Sequence, residues 1–290
     1  MPHVPAPRLA VLLTLALASG AAASARAQEA PASAQAAAQP PFMILLTDDD
    51  GFDAPGLQAL VKAFAGTAEL YVSAPAQNQS GVGHGVTLSD AVVVQERKLD
   101  GVTRALAVGG TPATAARMGL ERGVPRTPDL VISGINRGEN LGTSVYLSGT
   151  LGAAREAVFA GVPAIAVSIM GNRPETYESA AAVTRALVDD LRARQMLKPG
   201  LFVNVNVPMG TPKGTRLTRL SVRASRVDHE CSTPMHERVA CLPTFRQTLK
   251  DEAGTDIGEF YQGYVTVTPM MLDLTDTGAM TRLKFLEDRK

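Results

Sequence analysis

The stretch that most constrains this chain is Phe42–Leu57, FMILLTDDDGFDAPGL. An unbroken apolar run, Phe42 to Leu46, leads through Thr47 into three consecutive carboxylates, Asp48, Asp49 and Asp50. Such a run, bounded by turn residues, is the pattern of a strand buried on both faces, as in a parallel α/β sheet. Ligands of these sheets bind at the carboxyl ends of the strands, which is where the carboxylates stand. Three adjacent negative charges repel one another unless a cation or protons compensate. The stretch therefore fits a metal site. It also fits a solvated acidic turn, in which Asp and Gly are common.

The sequence downstream keeps alternating. Pro55–Ala65 carries a helical apolar stripe at 57, 60, 61 and 64, and Leu70–Ser73 predicts a second buried strand. In 74–90 the glycines Gly81, Gly83 and Gly85 run into a strand-like VTL; a dinucleotide turn would need G-x-G-x-x-G opening a helix, so that reading fails. Ala91–Leu99 and Arg104–Val108 predict an antiparallel pair joined at Asp100-Gly101. Thr111 and Pro112 open a helix to about Leu120, as N-cap and first helical residue. Leu130–Ser133 and Ala164–Val167 read as strands, Thr150–Ala160 and Glu175–Leu197 as helices. The alternation predicts an α/β fold with a doubly wound, mostly parallel sheet. Beyond 200 the pattern changes to strands at Leu201–Val207, Arg216–Val222 and Tyr264–Thr268, with a helical stripe at Asp276–Glu287. An irregular stretch over 226–250 makes 226–260 a protruding C-terminal, β-rich arm suited to oligomer contacts.

The first forty residues stand apart from this domain of 41–290. Arg8, the apolar Leu9–Ala18 and the A-x-A pattern Ala25-Arg26-Ala27 predict a secretory signal peptide, 1–27, cleaved after Ala27. Its apolar core is too short to span a bilayer. Residues 28–40, rich in Ala, Gln and Pro, predict a disordered leader. The expectation is an exported, periplasmic protein. Lys+Arg and Asp+Glu both number 28, so there is no basic excess for duplex nucleic acid. Cys231 and Cys241 suit one disulfide in an oxidising compartment. The competing zinc reading with His229 and His236 has a spacing, H-x-C-x4-H-x4-C, that matches no common zinc module.

Polar clusters follow three predicted strands: Asp49 and Asp50, Ser80 with its glycines, and Ser133-Gly134-Ile135-Asn136. A fourth, Ser148-Gly149-Thr150, precedes a helix. In a doubly wound sheet these loops converge on one edge. Carboxylates, a hydroxyl and an amide carbonyl form an all-oxygen set suited to Mg²⁺ or Mn²⁺. A hydroxyl-glycine pair at a helix start offers N–H groups to a phosphate. A hard cation beside an anion cradle points to phosphoryl chemistry.

The segments ILLTDDDGFDAPGL, APAQNQSG, GGTPA, PDLVISGINRGENLGTSVYLSGTLGAAREAVFAGVPAIAVS, NVNVP and QGYVTVTPMMLDLT together closely resemble the survival protein SurE family, in order from about Met43 to Thr275. The resemblance implies a Rossmann-like three-layer fold and a metal-dependent phosphatase of nucleoside 5′- and 3′-monophosphates. It implies one divalent ion, Mg²⁺ or Mn²⁺, held by Asp49, Asp50, Ser80 and Asn136, with the two aspartates also orienting the attacking water. It further implies phosphate contacts at Ser148, Gly149 and Thr150, and a homodimer or homotetramer. Three positions depart from the family pattern: Asp48 replaces an asparagine, Ala76 a usual acidic residue, and Thr114 a common Asp. A secretory signal also departs from a mostly cytoplasmic family.

Several single residues carry two readings. Arg137 can meet phosphate or pair with Glu139, and Asn140 is a further candidate for substrate contact. His84 can protonate a leaving group or be a satisfied loop histidine, and Asp53 reads as the residue that opens a helix. Two rivals stand beside the SurE-like reading. One is a haloacid-dehalogenase-like phosphatase with Asp48 as covalent nucleophile and Asp50 as general acid. The other is a non-catalytic nucleotide-binding protein on the same fold.

Overall fold

The apolar run becomes β1 (Met43–Thr47), buried at every residue. The computed structural model describes residues 40–223, 226–232, 239–246 and 251–287. The expected signal peptide, its cleavage site, leader residues 28–39 and His236 lie outside them. Elements follow in the order α1 (Pro55–Phe64), β2 (Glu69–Pro75), β3 (Val94–Arg97), β4 (Arg104–Val108), α2 (Pro112–Met118), β5 (Leu130–Arg137) and α3 (Gly149–Phe159). Then come β6 (Ala164–Ile169), α4 (Pro174–Ala193), β7 (Phe202–Val207), β8 (Thr215–Leu217), β9 (Arg226–Cys231), β10 (Cys241–Arg246), α5 (Asp256–Phe260), β11 (Val265–Pro269) and α6 (Thr277–Leu283).

Nine strands form one sheet in the order β3-β4-β2-β1-β5-β6-β7-β11-β8. The six from β4 to β7 are parallel neighbours, with β3 antiparallel at one edge and β11 antiparallel to β7 at the other. The chain winds outward from β1 through β2 to β4, then returns to the other side of β1 with β5, β6 and β7. The winding therefore reverses between β1 and β5, where doubly wound sheets bind ligands.

Side chains alternate across the pleat, and β1 shows what that achieves. Ile44 and Leu46 pack into a core with Leu57, Leu60 and Phe64 of α1 and Val188 of α4. Met43 and Leu45 pack with Leu151, Ala154 and Ala157 of α3. Each such fully buried aliphatic side chain contributes roughly 1.5–3 kcal/mol of transfer free energy. The result is the expected three-layer arrangement, with α1 and α4 over one face and α2 and α3 over the other.

The C-terminal third departs from the sequence expectation. The stretch 226–250 contains a two-stranded antiparallel hairpin, β9 against β10. Its sequence lacks apolar alternation because His229, Glu230, Cys231 and Leu242 are all exposed. A lone hairpin is marginal in water, and this one is closed by a Cys231–Cys241 disulfide between directly paired residues. For a loop of that length the chain-entropy estimate is about 3 kcal/mol. The bridge settles the two cysteines against the zinc reading.

Residues 256–260, placed in the arm by sequence, instead form buried α5 on the body. Asp256 anchors it: its Oδ2 accepts from Gly142 N (2.8 Å) and its Oδ1 from Ser221 N (2.8 Å) and Ile257 N (2.9 Å). The expected strand 216–222 shrinks to β8, and the strand-like VTL at 86–88 is loop. The loop conformation is fixed at Thr87, whose N–H donates to Thr114 Oγ1 (2.8 Å) and whose hydroxyl accepts from Thr111 N (3.2 Å). Thr114, one of the departures from the family pattern, thus holds this loop to α2. Among the described residues, no helix is long and apolar enough to cross a membrane.

Candidate active site at the switch point

The three carboxylates leave β1 in three different directions. Asp48 turns inward and is fully buried. Its Oδ1 accepts from the N–H of Asp49 (2.8 Å) and Asp50 (3.4 Å), while its Oδ2 has no partner. Burial, followed by the neighbouring charges of Asp49 and Asp50, pushes its carboxyl well above the ordinary range. Asp49 is 3 % exposed, and its Oδ1 accepts from Thr150 Oγ1 at 2.6 Å. Its carboxyl is pushed up to about 6, chiefly by burial, against the hydrogen bond from Thr150, with the charge of Asp50 raising it further. Asp50 is half-exposed and held on both oxygens, Oδ1 accepting from Asn78 Nδ2 (3.1 Å) and Oδ2 from Arg137 N (2.7 Å).

Three segments meet Asp49. The loop after β2 brings Ser80, positioned by Asn78, whose Oδ1 accepts from Ser80 N at 2.9 Å. Asn78 therefore ties Asp50 and Ser80 together with one amide, a role the sequence reading did not assign. β5 brings Asn136 after a break in register between Ser133 and Asn136. Irregularities of this kind re-aim side chains beside active sites. Asn136 Nδ2 donates to Gly138 O at 2.5 Å, which leaves Oδ1 as the group that can serve a ligand. The third segment is the start of α3, whose N-cap Ser148 accepts from Leu151 N at 3.2 Å. A Cβ on Gly149 would stand 2.8 Å from Asp49 Cβ and 2.9 Å from Pro112 Cγ, so only glycine lets the helix start this close to the carboxylate.

These residues open onto a cleft of about 310 Å³ whose walls include Asp49, Ser80, Asn136, Arg137, Asn140 and Ser148. Six of the nine site residues named from sequence are thus brought together. The other three do not line it: Asp50 is half-exposed next to Asp49, and Gly149 and Thr150 are buried at the start of α3. Asn140 faces the cleft but is tied down beneath it: its N–H donates to Asn206 Oδ1 (2.8 Å) and its Nδ2 to Ser168 Oγ (2.8 Å) and Thr150 Oγ1 (3.4 Å). Its carbonyl accepts from Asn204 Nδ2 (2.8 Å) and Asn206 Nδ2 (3.1 Å). The buried asparagines of NVNVP thus hold the loop that carries Asn140.

This geometry bears on the residues for which the sequence left alternative readings. Asp48 does not reach the cleft, so it is not placed for nucleophilic attack and the haloacid-dehalogenase reading loses its reacting group. His84 is not on the cleft wall either; its Nε2 lies 2.5 Å from Glu156 Oε1 and its ring stacks on Phe159. Glu156, which is 4 % exposed, also pairs with Arg117, so His84 serves to dock its loop on α3. Glu139 accepts from Tyr261 OH at 2.9 Å. Asp53 pairs with Arg97 at 2.9 Å on the surface, away from the ligands.

The donors that face the cleft suit a hard cation. Asp49, Ser80 and Asn136 offer only oxygen, and Asp50 is adjacent with its carboxylate held in place. Among the described residues no three His, Cys, Asp or Glu side chains form a metal-ligating group, so the oxygens of Ser80 and Asn136 would have to complete any set built on the aspartates. A cation beside Asp49 would also offset the burial that raises its carboxyl.

The family model described as "Survival protein SurE" matches residues 44–227. The chain belongs to the SurE family. It is 41 % identical over 248 residues to the 5′-nucleotidase SurE of Desulforudis audaxviator, covering 83 % of this chain and 96 % of that one. With the 5′-nucleotidase SurE of Syntrophomonas wolfei it shares 38 % over 238 residues, covering 80 % and 90 %. The crystal structure of the SurE protein from Aquifex aeolicus superposes with a TM-score of 0.72 at 34 % identity, covering 85 % of this chain and all of that one. The SurE family match runs from β1 through β8 into the start of β9, and so includes every side chain that faces the cleft from Asp49 to Ser148.

Proposed function

We propose that this chain is a divalent-metal-dependent phosphomonoesterase that removes phosphate from nucleoside 5′- and 3′-monophosphates. The observation that carries this reading is the convergence of Asp49, Ser80 and Asn136, from three separate segments, beside the N-terminus of α3. The names of the SurE relatives, 5′-nucleotidases, support the 5′-nucleotide part of the reading, and the resemblance to the family adds the 3′-monophosphates.

Asp49, Asp50, Ser80 and Asn136 would hold one Mg²⁺ or Mn²⁺, which when bound acidifies a water and neutralises charge on a phosphate oxygen. The chain's own residues do the rest. Thr150 fixes Asp49 by donating to Oδ1 and leaves Oδ2 outside that bond. Asn78 and the Arg137 N–H fix Asp50. The start of α3, with the positive end of its helix dipole, receives phosphate oxygens at Ser148–Thr150. Arg137, exposed at the cleft mouth, adds a guanidinium that can bind phosphate oxygens in pairs.

Phosphate release from adenosine and guanosine monophosphates, measured with Mn²⁺ or Mg²⁺ and with EDTA, tests the reading. Turnover is expected with metal and is expected to stop on chelation. Release that survives EDTA would remove the metal, and no release with any divalent ion would leave the non-catalytic binding protein. Asp48→Asn separates the two phosphatase mechanisms. Asn is the family's residue at this buried position, and it removes one of three adjacent charges, so kcat/KM should stay within about tenfold of wild type. A loss of several orders of magnitude with metal still bound would restore a covalent role for Asp48.

Two assignments extend the reading to the cell. The signal-like segment 1–27 supports export to the periplasm, checked by finding the mature protein, begun at Gln28, in the periplasmic fraction. A homodimer or homotetramer is supported by α6, which buries none of its residues and exposes Met280 and Leu283. Light scattering at micromolar concentration should give a multiple of the chain mass; a monomer mass would overturn it.

A further inference from the structure

The cleft does not end at the phosphate-binding corner. Beyond Asn136 and Asn140 its wall continues through Glu139, Leu141 and Leu147 to Ile257 and Tyr261. Glu139 follows Asn136 by three residues on the same loop, and both line this cleft. The far end combines apolar and aromatic side chains with the Glu139 carboxylate and Ser144, whose hydroxyl donates to Leu141 O at 2.6 Å. Tyr261 donates its hydroxyl to Glu139 Oε1 at 2.9 Å, fixing that carboxylate against the ring. Tyr261 is itself held edge-on by Phe260 at 5.3 Å. α5, which brings both Ile257 and Tyr261, is pinned to this same loop by the Asp256–Gly142 bond. The far wall is therefore built in advance of any ligand, from two parts of the chain 122 residues apart.

We propose that this end is the base-selecting subsite, with Leu141, Ile257 and Tyr261 packing on the base plane and Glu139 reading its edge in favour of guanine. The proposal deepens the phosphomonoesterase reading and rests on it. A carboxylate accepts hydrogen bonds and donates none when ionised. Guanine presents two adjacent donors, N1–H and the N2 amine, which a carboxylate can accept side by side. Adenine and cytosine each present one amine beside a ring nitrogen acceptor, and uracil presents one N–H between two carbonyls. Each of these sets an acceptor against the carboxylate, and buried unpaired polar groups discriminate strongly. Ring faces of any base can stack on an aromatic side chain, so Tyr261 supplies affinity and Glu139 supplies choice.

The test compares kcat/KM for guanosine, adenosine and uridine monophosphates in wild type, Glu139→Gln and Tyr261→Phe. Wild type is expected to prefer guanosine monophosphate over uridine monophosphate at least tenfold. Glu139→Gln replaces one acceptor by a donor, a pattern that matches adenine, so its guanosine-to-adenosine ratio should fall at least tenfold. Tyr261→Phe keeps the ring but removes the hydroxyl that donates to Glu139 Oε1, and should lower the same ratio by less. Equal wild-type rates on the three substrates, or a Glu139→Gln ratio within twofold of wild type, overturn the subsite. If wild type turns over none of them, the phosphatase reading fails on its own account. Calorimetric binding of guanosine against uridine monophosphate then decides the subsite, with equal affinities or no binding overturning it.

Discussion

Asp49→Asn is expected to lower kcat/KM by about three orders of magnitude or more, the scale set by losing a group aimed at developing charge. The substitution is nearly isosteric, so the reason must lie in chemistry and not in packing. Thr150 donates to Oδ1 at 2.6 Å, and an amide oxygen can keep that bond. The amide nitrogen then takes the place of Oδ2, the oxygen that Thr150 does not hold, and presents a donor where the site needs an anionic acceptor. Gly149, packed against Asp49 Cβ, prevents the side chain from escaping by rotation or retreat. No apolar contact of the core is lost, so denaturant unfolding should remain cooperative with a midpoint close to wild type. Near-normal turnover of Asp49→Asn at saturating Mn²⁺ would show that the cation is held elsewhere.

How far the sequence could carry this site depends on what kind of contact made it. The strands ending in Asp49 and Asn136 were legible because burial on both faces demands unbroken apolar runs, and the helix start at Ser148 because N-caps have a local signature. The matching orientations were not. Asp48, Asp49 and Asp50 are identical in the sequence, yet one faces inward, one faces the cleft and one is captured by Asn78 and Arg137. The fates of Asp49 and Asp50 are set by partners 28 to 101 residues away, and no periodicity encodes them. Asn204 and Asn206 sat within a recognisable motif, but their task beneath Asn140 is visible only when β7 lies beside β6. α5 escaped notice because a five-residue helix shows too little of a stripe, and its anchor, Asp256, acts through Gly142 and Ser221. The hairpin of β9 and β10 escaped because exposed strands need no apolar alternation and a disulfide holds them.

The largest effect on stability should come from Gly134→Ala, in the middle of the SGIN motif. Gly134 has φ +135°, a conformation that side-chain-bearing L-residues rarely adopt, and a Cβ there would lie 2.3 Å from the carbonyl oxygen of Val167. That oxygen belongs to β6, the strand paired with β5 on this side, so it cannot yield without opening the ladder. Backbone strain of about 1–3 kcal/mol and an overpacking cost of about 1–3 kcal/mol give a loss of about 2–6 kcal/mol. That is a large part of the 5–15 kcal/mol typical of a domain. Asn136 lies just beyond, so whatever folds should also bind metal and substrate poorly. Gly138→Ala provides the control, because Gly138 also has a positive φ, +108°, but nothing lies within 4 Å of its Cβ position. It should therefore lose only the conformational part, about 1–3 kcal/mol. Urea denaturation of the two variants beside wild type separates the contributions. If both lose stability equally, the approach of β6 is not what requires glycine at 134, and the break in the β5 register must be held by some other contact.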